Sequence, residues 1–455
     1  MIRDRRAILA LLTGLNFLNY IDRAVVAAVV DPMSSELSLS NFQAGLLNSA
    51  FLIGYFATSP VFGARADKGA RKGLIALGVG IWSVATVASG LSTGFWTLLA
   101  ARIVVGVGEA SYAVLAPTII DDLTPPEDKG KALAVFFLAI PLGYAMGYIL
   151  GGFISNHWAT HLSPIFLERN HISFVGTNLA AHINPVVVQP YYIEYRPTEL
   201  PAWRTAFFAT GGPGIVFAFA CLLISEPSRK LADARAKLVD GLRELAAIPL
   251  FRRAVLGYCA YNAAVGAFSF WAPNFLVKRF PELNLKTANF WFGVVLIAAG
   301  AIGTFTGGRW ADRALRKLPQ AAPGAPYDAP ENKAAVNSLI RVCAIGMTIA
   351  APLAAMCFIM PAPMLFFGLA FVVEIGLFLS TSPINAAFLR AVPAERRASA
   401  MAASIFAIHL LGDLWSSAAL GQLQDVLPLR IAMMALPLTF AGAAYLWWPR
   451  RREAR

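Results

Sequence analysis

Apolar runs long enough to cross a lipid bilayer recur along this chain so often that no water-soluble fold could absorb them. They lie near residues 7–30, 41–62, 73–91, 95–120, 131–153, 203–225, 254–277, 287–308, 339–360, 363–387, 398–420 and 429–448. Each is close to the roughly 20 residues a helix needs to span the hydrocarbon core. Only 14% of the residues are charged, against about one quarter in soluble domains. Lipid offers no partners to backbone N–H and C=O groups, so such runs must be helices. The expected fold is all-α and integral to the membrane, with twelve transmembrane helices.

A formal charge of +12 can signal nucleic-acid binding, but here the basic residues sit between the apolar runs. Most of the 38 Lys and Arg lie on the side that holds both termini, which predicts cytoplasmic termini. Residues 1–6 lead directly into the first run, so no cleavable signal is expected. Cys221, Cys259, Cys343 and Cys357 lie in or beside apolar runs and suggest neither disulfides nor zinc; no cofactor or metal is expected. His157 and His161 read as solvated loop histidines rather than ligands. No Asn-x-Ser/Thr site occurs, in keeping with a bacterial source and an inner-membrane location. Residues 226–253 alternate charged and apolar side chains, as an amphipathic helix on the inner surface would. They divide the chain into residues 1–225 and 254–455. A polar outer loop, 154–202, carries Val186–Val188 and Tyr191–Ile193 runs that suggest a small hairpin, and 319–330 reads as a flexible inner loop.

The two parts are related. Residues 63–72 (GARADKGARK) and 308–317 (GRWADRALRK) share the pattern G-x-x-x-D-[KR]-x-x-R-K after the second span of each part. PPEDKGKAL at 125–133 is echoed by PAERRASAM at 393–401 before the fifth. Two echoes in the same order indicate a duplication: two pseudo-symmetric halves of six helices, the architecture of many secondary transporters.

Those loops, the R-x-x-x-G-x-G-E-A run of span 4 and the six-plus-six layout resemble the major facilitator superfamily. NYIDR at 19–23, the stretch 45–72, GEASYAVLAPTIIDDL at 108–123, FSFWAP at 268–273, 292–308 and HLLGD at 409–413 resemble the Spinster family more narrowly. The resemblance implies a transporter of lysolipids or sphingoid lipids, working as a monomer among membrane lipids. It also marks Asn19, Tyr20, Ser111 and Tyr112, inside those motifs, as substrate-path residues.

Ionisable side chains inside spans are the features closest to chemistry, because each costs about 2.5–3.5 kcal/mol at a span centre. They are Asp22 and Arg23 in span 1, Arg102 and Glu109 in span 4, Glu374 in span 10, and His409 and Asp413 in span 11. Spans 1 and 4 run antiparallel, which allows the first four to form one buried cluster. Burial favours a neutral carboxyl and a nearby guanidinium favours the charged one, so the cluster suits proton coupling through Asp22 and Glu109 with Arg23 and Arg102 as alternating partners. A static salt-bridge network is the alternative. Arg23 or Arg102 also suits an anionic headgroup.

Glu374 suits either a hydrogen bond across an interface or a cationic amine. His409 and Asp413 share a helix face at i, i+4, fitting a local pair, a gate or, less well, an acyltransferase H-x-x-x-D site. Phe268, Trp271, Asn274 and Asn385 are expected to line the path of an amphiphile, or simply to pack. In the repeated loops, Gly63 and Gly308 would let helices approach. Asp67 and Asp312 would cap a helix of the other half, while Lys68, Arg71, Lys72, Arg313 and Arg316 add charge to this inner latch. Gly143, Gly147, Gly151 and Gly152 of span 5 would permit close packing. An organic-anion:proton symporter of the same superfamily is the rival reading.

Overall fold

A computed structural model describes residues 2–66, 71–125, 128–157, 202–226, 238–319, 325–393 and 396–449. The first half contains α1 (Arg5–Ala28), α2 (Val30–Leu37), α3 (Asn41–Ala66), α4 (Arg71–Gly90), α5 (Phe95–Leu123), α6 (Lys129–His157) and α7 (Ala202–Leu222). After the linker helix α8 (Leu238–Ala247) come α9 (Pro249–Arg279), α10 (Leu285–Arg316) and α11 (Pro330–Ile359). Span 10 is broken into α12 (Pro363–Phe378) and α13 (Thr381–Arg390). Span 11 runs from α14 (Arg397–Ile408) through a π-helical turn, His409–Asp413, into α15 (Leu414–Val426). Span 12 is split into α16 (Leu429–Met433) and α17 (Ala435–Trp447).

Ten of these spans are long and apolar enough to cross a membrane by composition. The other two crossings, α1 and α9, have 24 and 31 residues, ample at about 1.5 Å per residue. They are simply more polar: α1 carries Asn16, Asn19, Asp22 and Arg23, and α9 carries Asn262, Ser269 and Asn274. Asp4 starts α1 by accepting hydrogen bonds from the backbone N–H groups of Arg6 and Ala7. It thereby satisfies two of the donors a helix leaves unpaired at its start. The hairpin expected near 186–193 lies outside the described residues.

Packing follows the duplication. Within the first half, α3 lies on α5, α4 on α5 and α7, and α1 on α6. Between halves the main contacts are α3 with α15 and α6 with α10. Span 2 thus meets span 11, and span 5 meets span 8. That is the exchange a two-fold relation between the halves requires.

Glycines set the closest approaches. A Cβ on Gly106 would collide with the Phe51 carbonyl of α3, and one on Gly45 would strike the Ser417 carbonyl of α15. Backbones meet there with no side chain between them, as close helix packing in membranes demands. Gly147 and Gly143 press α6 onto α1 in the same way, and Gly151 and Gly152 meet Ala28 and Asn289. Gly63 and Gly308 do not serve this purpose. A Cβ at either would make only ordinary contact, 3.9 Å from Val114 and 3.5 Å from Ser382. The tight approach beside Gly308 belongs to Gly307, against the Leu379 carbonyl.

Sides are named here by the Lys/Arg excess, the side of the termini being inner. Among the described residues, every hydrogen bond or ion pair between the halves lies in the outer half of the bundle. Asp425 at the end of α15 accepts from the Asn41 N–H at 3.0 Å, the Asn41 side chain at 2.8 Å and the Phe42 N–H at 2.9 Å. It adds to the local cap in which Ser40 accepts from the Gln43 N–H at 3.1 Å and Gln43 accepts from the Ser40 N–H at 3.0 Å. Further in, Asn274 donates to Asp31 at 2.7 Å, Asn289 to the Ala28 carbonyl at 3.1 Å, Asn48 to Ser417 at 3.0 Å and Tyr148 to the Ser269 carbonyl at 2.7 Å. The outer end is closed. On the inner side α8 docks on the second half: Leu245 joins its core and Glu244 pairs with Arg396 at 2.6 Å.

Two outcomes are expected. Gly106→Val should cost about 1–3 kcal/mol by overpacking, read as a lower unfolding midpoint in detergent, while Gly63→Ala should be nearly silent. Asp425→Ala removes the cap that joins the halves, a loss of about 1 kcal/mol. Distances between labels at the outer ends of α3 and α15 should lengthen in a larger fraction of molecules.

Candidate functional site

Asp22 and Arg23 are neighbours on α1 and therefore point about 100° apart, so one helix turn serves two different environments. Asp22 is fully buried toward α4 and α7. Its carboxylate accepts from the Thr86 hydroxyl at 2.6 Å and from the Thr210 hydroxyl at 2.9 Å. Arg23 points toward α3 and α5, where its Nε donates to Glu109 Oε2 at 2.7 Å. Glu109 has no exposed surface, while the Arg23 side chain keeps 15% of its own. The pair sits mid-bundle, and of the two only the cationic member keeps exposed surface.

The expected cluster forms, but not as four equivalent charges. Arg102 is 2% exposed, and its Nε and Nη1 have no hydrogen-bond partner in the protein; neither does Glu109 Oε1. Asp22 is held by hydroxyls and takes no guanidinium. Aromatic rings take up the space between the charges. The Arg23 guanidinium lies 4.9 Å from the centroid of Tyr20, 4.8 Å from that of Phe51 and 5.3 Å from that of Tyr55. Arg102 also lies over Phe51, at 5.3 Å. One ring therefore contacts both arginines, each close enough for a cation–π attraction. Tyr144 of α6 packs on Tyr20 with ring centres 5.2 Å apart and the planes tilted by 54°, and completes this wall. Phe51, Tyr55, Thr86, Tyr144 and Thr210 are not identifiable as site residues from the sequence alone. Threonines and aromatics in a span carry no signal of their own.

The other expected residues divide between the interior and the gate. Asn19 is buried beside Arg23's helix turn, with its Nδ2 unpartnered in the protein. Ser111 bonds the Gly108 carbonyl at 2.9 Å and abuts Gly78; Tyr112 packs on Trp82 and reaches the Leu12 carbonyl. Both belong to the core of the first half, where neither has exposed surface. Trp271 donates to the Ser417 carbonyl at 2.9 Å within the second half, while Asn274 donates to Asp31 across the closed outer gate. Asn385 bonds its own helix at Thr381.

Glu374 and Phe268 come together in the second half. They line a small cavity of about 40 Å³ with Phe358, Phe366, Phe378 and Phe440. Glu374 is 7% exposed and makes no hydrogen bond or ion pair among the described residues. One helix turn further, span 10 breaks at Leu379 and Ser380, an irregularity a bilayer permits only where protein surrounds it.

Of the inner latch, Asp67 and Lys68 lie outside the described residues. Arg71 turns inward within its own half, pairing with Asp122 at 2.7 Å and Thr118 at 2.9 Å. Lys72 holds the end of span 6 through the Ile224 carbonyl at 3.0 Å and through Glu226. Asp312, Arg313 and Arg316 are exposed at the inner end of α10. His409 and Asp413 form a pair in the π turn, with Nδ1 at 3.0 and 2.9 Å from the two carboxylate oxygens.

Comparison with known proteins places this geometry. The model of the Major Facilitator Superfamily matches residues 12–416. A probable sphingolipid transporter of Arabidopsis thaliana, spinster homolog 1, is 30% identical over 432 residues, covering 90% of this chain and 81% of that protein. Protein spinster homolog 1 of Homo sapiens is 29% identical, covering 92% of this chain and 72% of its own length. Among solved structures, a bacterial homolog of the human lysosomal transporter Spinster, inward-facing and occupied, superposes with a TM-score of 0.79 at 22% identity over 98% of this chain and 97% of that one. A D-xylose–proton symporter shares the fold at a TM-score of 0.70 and 16% identity, over 97% and 96% of the two chains. The chain belongs to the Major Facilitator Superfamily and, within it, to the Spinster family of multi-pass membrane transporters.

Proposed function

We propose that this transporter moves a lysolipid or sphingoid-type amphiphile by alternating access, coupled to protons through Glu109, in the inner membrane of a bacterium with both termini in the cytoplasm. The observation that carries this reading is the Arg23–Glu109 pair, mid-membrane, with Arg102 beside it and unpaired. Protonating Glu109 removes the charge that holds Arg23, and a partly exposed guanidinium freed of it then attracts an anionic headgroup. Deprotonation offers Glu109 two possible partners, because Glu109 Oε1 and Arg102 Nε and Nη1 are both without one in the protein. Asp22, fixed by Thr86 and Thr210, anchors α1 to α4 and α7 so that Arg23 swings against a rigid neighbour.

Substrate class follows from the contrast between halves. The first half presents arginines and tyrosines; the second presents phenylalanines around one carboxyl, Glu374. An amphiphile needs both surfaces. The cavity at Glu374 admits little more than a water molecule as it stands, so it fits an ammonium group only after the halves move. The names of the plant relatives, sphingolipid transporters, support the same class. A small organic anion would instead favour fixed cations in both halves, and among the described residues none lines the second half's cavity.

Flux into proteoliposomes, screened over lysolipids, sphingoid bases and small organic anions with and without a proton gradient, tests the reading. One coupled charge moved across 100 mV is worth about 2.3 kcal/mol, or roughly fiftyfold accumulation. Glu109→Gln should lose that accumulation yet keep exchange of labelled for unlabelled substrate. Gradient-driven accumulation at the unsubstituted level would remove Glu109 from the coupling path. Glu374→Gln should weaken transport of amine-bearing amphiphiles at least fivefold more than that of amphiphiles lacking an amine, and an equal loss for both would reduce Glu374 to packing.

A further inference from the structure

The HLLGD segment of span 11 is used neither by the coupling pair nor by the aromatic cavity. Its backbone is π-helical from His409 to Asp413, a widened turn of the kind that recurs at functional sites. That turn directs His409 Nδ1 onto both oxygens of Asp413. The pair is not sealed in, since the two side chains retain 30% and 17% of their surface. The imidazole also faces the opposite half of the molecule. Its ring centre lies 5.3 Å from that of Phe56 on α3, with the planes tilted by 43°. Phe56 touches Phe406 as well, at 6.0 Å.

Position gives this contact its meaning. Along the seam between α3 and span 11, the joins run inward from Asn41–Asp425 through Asn48–Ser417 to Phe56–His409. The last, with Phe56–Phe406 about a turn below it on span 11, ends the run of hydrogen-bonded and aromatic contacts along that seam among the described residues. It sits where the closed outer gate ends. From α9 the neighbours of the pair are Tyr258, Cys259, Asn262 and the backbone at Gly266. From α6 the neighbour is Tyr144, close enough to feel the charges of Asp413, Arg23 and Glu109 alike. From α3 it is Phe56, with Tyr55 packed behind it. None of these side chains is a carboxyl, an amine or a guanidinium, so Asp413 is the one acidic neighbour of His409 among them.

We propose that His409, oriented by Asp413, is a second proton-binding site, whose charged form grips Phe56 across the halves and favours the outer-closed state. This rests on the alternating-access reading above. A neutral imidazole against a phenyl ring is ordinary packing. An imidazolium within about 6 Å of the ring centre adds a cation–π attraction, and Asp413 keeps the pair electrically neutral at this depth. Opening the outer gate draws Phe56 away and forfeits that attraction. Proton binding and outer closure must then promote each other. The sign is definite: only the protonated imidazole makes this contribution, so acidification strengthens outer closure. At Glu109 a proton releases a grip; at His409 it tightens one.

The test uses the full chain in nanodiscs, with spin labels at Leu91 and Val426 reporting the outer gate. In a Glu109→Gln background, which silences the first site, acidification from pH 8 to pH 5 should raise the ratio of outer-closed to outer-open molecules about fivefold. His409→Gln added to that background should flatten the response, and so should Phe56→Leu, which keeps the imidazole and removes only the ring. The proposal is overturned if Glu109→Gln alone abolishes the response, or if the response survives either added substitution. A single, pH-independent distance in the unsubstituted chain would instead sink alternating access itself, and the clasp with it.

Discussion

A guanidinium and a carboxylate held together in the middle of a bilayer govern the rest of this molecule. Taking two charges out of water costs several kcal/mol each, and their attraction recovers that only with good geometry; a buried pair is therefore a poor source of stability. Breaking it is another matter, because it strands a charge in oil at about 3–5 kcal/mol. Arg23 and Glu109, 2.7 Å apart, thus form an interaction that contributes little when made and enforces much when unmade. Whatever separates them must supply a new partner for each at the same moment. Arg102, with two donors unpartnered in the protein, and the partly open side of Arg23 are what the structure offers for that exchange. The aromatic wall of Tyr20, Phe51 and Tyr55 makes such an exchange feasible, since ring faces stabilise a cation without binding it in one place.

An exchange of partners moves the halves only if they are rigid bodies that meet over a surface with two resting positions. The first half is stiffened by backbone-to-backbone contact at Gly54 and Gly106 and by the two threonines that fix Asp22. Between halves, contact depends on carbonyls packed on glycines, at Gly45 and Gly421, and on single hydrogen bonds such as Asn48 to Ser417. Lipid tails are as apolar as the side chains, so no hydrophobic force holds the halves together. The outer gate is consequently a sum of small, separable terms. Asp425 capping α3 is typical of them, worth about a kilocalorie, enough to bias a two-state equilibrium but not to lock it.

Much of this was legible in the chain. Twelve spans, the duplicated halves and the identity of the charged residues follow from hydropathy and from repeated motifs, because the bilayer imposes those patterns on any chain that crosses it. Pairing was only half legible. Spans 1 and 4 could be seen to place four charges together, yet adjacency on one helix sends Asp22 and Arg23 to different faces. Which face met threonines and which met Glu109 depended on the packing of α4 and α7. Phe51 lay within a motif that resembles the family and still could not be singled out, since a phenylalanine in a span most often packs. Gly63 and Gly308 misled for a related reason. Their motif is defined by charge and spacing, whereas close approach is decided one residue away, at Gly307, by the phase of the helix against its neighbour.

The duplication also explains why the halves differ as they do. Two copies of one fold would present the same lining twice, and an identical charged cluster in each would suit a substrate charged at both ends. Among the described residues, the second copy shows no counterpart of the Arg23–Glu109 pair. In its place are a cavity ringed by phenylalanines around Glu374 and a π turn that presents His409. Both lie where spans 10 and 11 depart from regular helix. Such departures expose backbone groups that must be satisfied inside the protein, so they are costly to keep in a half that only packs. Buried charge gathers in the first half, and a phenylalanine-lined cavity forms in the second. This inequality of the halves is what the amphiphile proposed above rests on: one surface for a polar end and another for a greasy one.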